Sequence, residues 1–572
     1  MARPGSRRGR DQSTSQTWLL VGLAVAGTCS LGYGLWMASG RPTSVTPVVE
    51  PISQPATGAP PGPTAPAMIV KPGTVDLTRE APTDTRPPAR DGVICPGCDI
   101  VLITVCSLRK DFVSRFGAPP GLTPGIDRIS DGGYAFGRAY AASNFTLAGL
   151  TAVLTGRFGS TTGVTGWDRG LTAEVPTLPE VLGFYGYATA GFTIDAPSGF
   201  RPDYGLDRGF QHMKVISPPR DTPDGRFGDG EPGSGGASAQ PVVDWLGGQS
   251  TDAPMFLMFH SRTAHFPFVI SPDPEGADPT GVWQGLWDAG RVAREAPAGQ
   301  AMPGMAGGTS QEGVVQIRGP DPLLLLVQDK GQPAVDSWRQ RYAESVRRMD
   351  IDVERVWQAL EQRGKLDRTI VVLVGDHGES LYDHHELLHG DAYWNTVVNV
   401  PLVMRVPGLD GNPEIHQQLV SHVDLLPTLL ELVGAVTPAD IDGRSMVPLL
   451  TGESDKVRDM ALVEGGVAKH DESVLRGAVV APPYMLVRQD RGCDGPPGRD
   501  PPRRPGEPAT CLYDMDKDPL QLTNVALQNK PLVDALMGRW QSFRDARAKE
   551  AVQLDLDPAF VAELRANGYN FE

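Results

Sequence analysis

Two short apolar runs in this chain end in residues that could do chemistry. Asp99 to Val105 leads into Cys106-Ser107-Leu108-Arg109, and Thr369 to Val374 leads into Gly375-Asp376-His377-Gly378-Glu379. A carboxylate and an imidazole side by side on a tight turn suit a divalent metal such as zinc, and a thiolate beside them would favour zinc over calcium or magnesium. Four of the ten histidines fall between His377 and His389. An Asp-His pair is also common as a plain surface turn, so its weight depends on what surrounds it.

Both runs are short, apolar and rich in β-branched residues, as strands buried on both faces of a parallel sheet are. In open α/β sheets ligand sites collect at the carboxyl ends of the strands. The spacing therefore predicts that Cys106 faces Asp376 and His377. Between these strands, Thr123-Pro124 predicts a helix start, with proline at the first helical position, and Gly132-Gly133 a stop. Tyr134 to Ala141 predicts a strand, Thr146 to Leu154 a helix and Met255 to His260 another buried strand. Tyr342, Val346, Met349, Val353, Val356 and Leu360 form one apolar stripe of an amphipathic helix, which Gly364 is placed to end. Residues 423–433 predict a helix, and 480–515 short strands. Strands alternating with helices imply a doubly wound α/β domain. Residues 271–334 have no steady period and are expected to be an insertion.

The 572 residues allow one large α/β domain with additions. A hydrophobic fraction of 40% with 21% charged residues excludes a wholly disordered chain. A net charge of −16 with no long basic run argues against nucleic-acid binding. At the amino end, residues 1–16 carry Arg3, Arg7, Arg8 and Arg10, and an uncharged stretch follows from Trp18 to Ala38. About 20 apolar residues span a bilayer core, and the basic flank stays cytoplasmic. The expectation is a basic tail (1–16), a single-pass signal anchor (17–38) and an extracytoplasmic remainder. A cleaved signal peptide, with Met37-Ala38-Ser39-Gly40 as a weak site, is the alternative. Residues 39–94 are proline-rich and predict a disordered tether. A domain over 95–455 and a C-terminal subdomain over 456–572 follow.

Six cysteines are too few for a disulfide scaffold. Cys493 and Cys511 flank a loop rich in Pro, Arg and Gly, and a bridge there would close it. Cys95-Pro96-Gly97-Cys98 could be a local bridge, a redox pair or half a metal site. Cys106 lies roughly 26 Å along an extended strand from Cys98, far beyond the ~7 Å disulfide limit, and is expected to be a lone thiol.

The order of these segments closely resembles the sulfatase and alkaline-phosphatase-like superfamily. Asp99 to Arg109 is similar to its first metal strand and Asn144 to Gly156 (N-F-T-L-A-G-L-T-A-V-L-T-G) to its nucleophile segment. Ala264-His265-Phe266-Pro267 resembles the stretch holding its substrate-side histidine. Val374 to Glu379 with His389-Gly390 resembles its second metal loop, and Tyr513 to Ala526 its tail. The resemblance implies an alkaline-phosphatase-like, mostly parallel doubly wound sheet with a small α+β C-terminal subdomain. It implies attack on a phosphate or sulfate ester, with Thr146 as nucleophile and Cys106, Thr146, Asp376 and His377 around one divalent ion, zinc ahead of calcium, manganese or magnesium. His265 and His389 would hold the anionic ester or protonate its leaving oxygen. Thr146 would also stand at a helix N-terminus, where free N–H groups favour an anion.

The departures are specific. Formylglycine sulfatases carry Cys or Ser at the nucleophile within C-x-P-x-R. This chain has Thr146, Ala148 and Leu150, and threonine cannot become the formylglycine aldehyde. The sulfate-holding lysine is missing after Tyr187, where the run reads A-T-A-G-F-T-I-D. Cys106 stands where the family has an acidic metal ligand. Two function classes follow: a membrane-anchored hydrolase or transferase of phosphate esters, with sulfate second, whose substrate could be lipid- or polysaccharide-linked; or a degenerate binding or scaffold protein that keeps the groove and has lost turnover.

Overall fold

The computed structural model describes residues 92–194, 199–216, 239–250, 253–266, 331–390, 392–466, 475–490, 492–493, 508–547 and 551–556, with four further residues up to 564. The expected tail, membrane helix and almost all of the tether lie outside these residues, as does most of the expected insertion. Among the described residues no helix is long and apolar enough to cross a membrane.

An eight-stranded sheet organises the chain. Its strands are β1 (Asp99–Val105), β2 (Tyr134–Tyr140), β3 (Ala188–Ile194), β4 (His212–Ile216), β5 (Met255–Ser261), β6 (Thr369–Gly375), β7 (Leu402–Arg405) and β8 (Ile415–Ser421). Their order across the sheet is β8-β2-β7-β6-β1-β5-β3-β4. Every pairing is parallel except those of β7, which runs antiparallel to β2 and β6. β1 is central, with Thr104 opposite both His260 and Val374.

Alternation of side chains explains why β1 reads as uniformly apolar. Ile100 and Leu102 enter one core with Phe256, Met258, Ile370 and Val372. Val101, Ile103 and Val105 enter the opposite core with Leu257, Phe259, Val371 and Leu373. Successive Cβ atoms point to opposite faces, so a strand covered on both sides must be apolar throughout. Helices α1 (Pro124–Ser130) and α2 (Thr146–Thr155) come next in the chain. α2 and a later helix, α3 (Leu425–Val433), cover the first face. The long helix (Gln332–Gln362) covers the second through the predicted stripe from Tyr342 to Leu360. It begins inside the stretch expected to be inserted: Ala334, Val335 and Trp338 extend the same buried stripe backwards, and Pro333 stands in the first turn, where a missing N–H costs nothing.

Thr123 stands before α1, but its hydroxyl makes no cap and instead accepts the Ser114 N–H at 2.8 Å. The free N–H groups of Gly125 and Ile126 go to the Asp350 carboxylate on the long helix, at 2.7 and 2.8 Å. Downstream, strands Ala461–Glu464, Gly477–Ala481, Tyr484–Gln489 and Ala509–Asp514 form a four-stranded antiparallel sheet, backed by a helix over Lys530–Arg547. Cys493 is bridged to Cys511, and Cys95 to Cys98. The local-bridge reading of Cys95-Pro96-Gly97-Cys98 is therefore the one the structure adopts.

Candidate active site

Each site residue sits at a chain feature that fixes it. β1 ends at Val105, whose carbonyl accepts the Asp376 N–H at 3.1 Å, so the ends of β1 and β6 are tied together. Cys106 donates its backbone N–H to Ser261 O at 2.8 Å, which joins the end of β5. Ser107 then turns with φ of 60°, a conformation side chains avoid. Tyr342 on the long helix holds this turn: its hydroxyl donates to Ser107 O at 2.5 Å and accepts the Arg109 N–H at 2.8 Å.

Thr146 opens α2, with Phe145 as the extended residue before it. Gly149, one turn on, lets this helix approach the loop that carries Asp376, because a Cβ there would lie 2.9 Å from the Asp376 carbonyl oxygen. Gly378 serves the other side of the loop, where a Cβ would meet the Thr396 carbonyl at 2.1 Å. Neither position admits a side chain.

These constraints bring four side chains together, all fully buried. Cys106 Sγ is 3.2 Å from Thr146 Oγ1, and Thr146 Oγ1 is 3.2 Å from His377 Nε2. Cys106 Sγ and His377 Nε2 are 3.8 Å apart. His377 donates its Nδ1–H to Gly378 O at 2.9 Å, which leaves Nε2 as the acceptor. Asp376 Oδ1 accepts the N–H groups of His377 at 2.7 Å and Ser107 at 3.2 Å.

The donor set fits a divalent ion. One ligand atom each from Cys106, Asp376 and His377 lies within 4.8 Å of the others, and Asp376 Oδ2 is buried with no hydrogen-bond partner. Burial alone is costly for each group. It pushes the Cys106 thiol well above its ordinary range, helped by the Asp376 charge, and raises the Asp376 carboxyl. It lowers the His377 imidazole to about 3. A cation would compensate a deprotonated thiol and carboxylate.

The expected substrate-side histidines join the same cluster. His389 packs on His377 with ring centres 4.1 Å apart, and on His265 at 5.0 Å. His265 donates its backbone N–H to Arg262 O at 3.0 Å. Sequence reasoning assigned no role to Glu379, yet it is fully buried and accepts the His389 Nδ1–H at 3.0 Å. The signal was its place in the Gly-Asp-His-Gly-Glu run. His260 was missed as well; it meets Thr104 Oγ1 at 2.9 Å through Nδ1.

The fold thus defines a doubly wound α/β protein whose reactive side chains converge at the carboxyl ends of its central strands. The sulfatase family model matches residues 99–435, more than half of the chain. The protein belongs to the sulfatase family, and is an ester hydrolase of that family. The Delta 4,5-hexuronate-2-O-sulfatase of Bacteroides thetaiotaomicron is 24% identical over 479 residues, covering 80% of this chain and 91% of the relative. Among solved structures, a 2-O GAG sulfatase superposes with a TM-score of 0.57 at 19% identity, covering 83% of this chain and 96% of its own. The phosphonate monoester hydrolase of Agrobacterium radiobacter gives 0.56 at 21% identity, covering 79% and 95%. At these identities the structural likeness is one of fold.

Proposed function

We propose that this chain is a membrane-tethered, extracytoplasmic hydrolase that attacks an anionic sulfate or phosphate ester with the Thr146 hydroxyl. One observation carries the reading: Thr146 Oγ1 stands 3.2 Å from both Cys106 Sγ and His377 Nε2, at the first turn of α2. Cys106, Thr146, Asp376 and His377 would hold one divalent ion, zinc by the softness of the sulfur and imidazole donors. When bound, that ion lowers the cost of an alkoxide nucleophile and neutralises charge on the reacting ester.

The chain's own residues do the rest. Thr146 presents its oxygen at a helix N-terminus, where backbone N–H groups favour an incoming anion. Its attack produces a covalent enzyme ester that water or another hydroxyl then releases, which separates a hydrolase from a transferase. His389, oriented by Glu379, is the group that would protonate the leaving oxygen, with His265 packed beside it. The site is buried, so these interactions act with little screening.

The relatives' names favour sulfated sugars, whereas a threonine nucleophile favours phosphate esters; hydroxyl attack suits either centre. The test pairs metal analysis of the purified full-length protein with a screen of sulfate monoesters, phosphate monoesters and phosphate diesters. One equivalent of zinc with turnover of one ester class is expected. A metal-free protein that turns over none of them would refute the reading and leave a binding protein.

A further inference from the structure

Residues 392–394, a few positions after His389, belong to no helix or strand, yet all three are buried. Buried peptide groups need partners. The peptide joining Ala392 to Tyr393 finds them in two amide side chains. Its carbonyl accepts the Asn144 Nδ2–H at 3.1 Å, and its N–H donates to Gln489 Oε1 at 3.2 Å. Both amides are themselves buried. Asn144 stands two positions before Thr146. Gln489 ends a strand of the C-terminal sheet, and its Nε2 donates to Gly492 O at 2.9 Å. These two bonds fix the Gln489 amide, because a flip would set donor against donor and acceptor against acceptor.

The same segment is tied to the rest of the site. Val397 O accepts the N–H of Gly378, which follows His377, at 2.6 Å. The Tyr393 hydroxyl donates to Gly465 O at 2.6 Å. One peptide thus meets the nucleophile segment through its oxygen and the C-terminal subdomain through its nitrogen.

We propose that Asn144 and Gln489 are positioning residues, which clamp the Ala392–Tyr393 peptide from both ends and so hold the backbone that carries His389. The inference rests on the role of His389 given above. Glu379 orients the His389 ring through Nδ1; the clamp would fix the chain from which that ring projects. It makes the C-terminal subdomain part of the catalytic apparatus. Two side chains acting through one peptide should also have effects that do not add.

The experiment uses the full-length protein with zinc supplied, as wild type, Asn144→Ala, Gln489→Met and the double variant. Hydrogen exchange over residues 392–398 reads the clamp directly, and should rise about 10-fold in each variant. Turnover is compared on a nitrophenyl ester and an alkyl ester of the class that the wild type accepts. A general acid contributes about 100-fold or more to a poor leaving group and little to a good one. The variants should therefore lose about 10- to 100-fold in kcat on the alkyl ester and little on the nitrophenyl ester. The double variant should be no worse than the more damaged single one. If Gln489→Met fails to fold, Asn144→Ala carries the test from the other end of the peptide. Equal losses on both esters, or unchanged exchange in a folded variant, overturn the proposal. A wild type that turns over no ester, with exchange still raised in the variants, would sink the enzymatic reading and leave the clamp standing.

Discussion

Thr146 Oγ1 lies 3.2 Å from Cys106 Sγ, although forty positions separate them in the chain. The contact joins the end of the central strand to the start of α2, and it couples the proposed nucleophile to Cys106. Thr146→Ala should abolish turnover, by at least about 1,000-fold, because a reacting atom is removed. Loss of the hydroxyl's hydrogen bonding should cost only about 1 kcal/mol of stability. Steady-state kinetics and a denaturant melt check both halves. Retained activity would remove Thr146 from the mechanism.

Cys106 separates an active zinc site from a degenerate one. If the thiolate is a ligand, the wild type should hold one equivalent of zinc and Cys106→Ala should lose it. Cys106→Asp should weaken zinc and shift preference toward harder cations such as manganese or magnesium. A wild type without stoichiometric metal, gaining it only in Cys106→Asp, would favour the binding-protein reading. Elemental analysis of the three proteins decides between them.

The strands of the main sheet were legible because burial on both faces leaves an unbroken apolar signature, as in Asp99 to Val105. The convergence of Cys106, Thr146, Asp376 and His377 was legible through the ordered resemblance. Asp350 was hidden because its partners, Gly125 and Ile126, are more than 220 positions away. The start of the long helix was misplaced because Pro333, a helix starter in the first turn, also reads as a breaker in a Gly/Pro-rich stretch.

The apolar run of residues 18–38 and its basic flank make a topological prediction. The full-length protein should fractionate with membranes, and protease added to intact spheroplasts should degrade its large domain. A soluble mature protein that begins after Ala38 would sink the anchor and leave the cleaved signal.

The Cys493–Cys511 bridge closes a loop with a sequence separation of 18 onto the edge of the C-terminal sheet. In the chain-entropy model a loop of this size contributes about 3 kcal/mol. Replacing both residues with alanine should lower the unfolding free energy by about that amount and leave metal content unchanged. A non-reduced digest in which both thiols are free would refute the bridge.

Asp350 gives the fold a pH dependence of known sign. Burial lifts its carboxyl to about 7, against the pull of the Gly125 and Ile126 N–H groups and with help from the charges of Asp127 and Glu354. An unfolded aspartate titrates near its ordinary value of 3.8. Between these values the folded state holds more protons than the unfolded one, so this group's contribution to stability falls as pH rises from about 4 through about 7. Above that range the contribution levels off. Asp350→Asn cannot ionise and should flatten this part of the profile. It also leaves one of the two helix N–H groups without an acceptor, at a cost of about 1–3 kcal/mol. Denaturant melts at pH 5 and pH 8 on both proteins supply the comparison: the variant should be less stable than the wild type at pH 5, and the gap should narrow at pH 8. A gap that stayed the same at pH 5 and pH 8 would mean that the carboxylate is ionised throughout this range and acts as a plain helix cap.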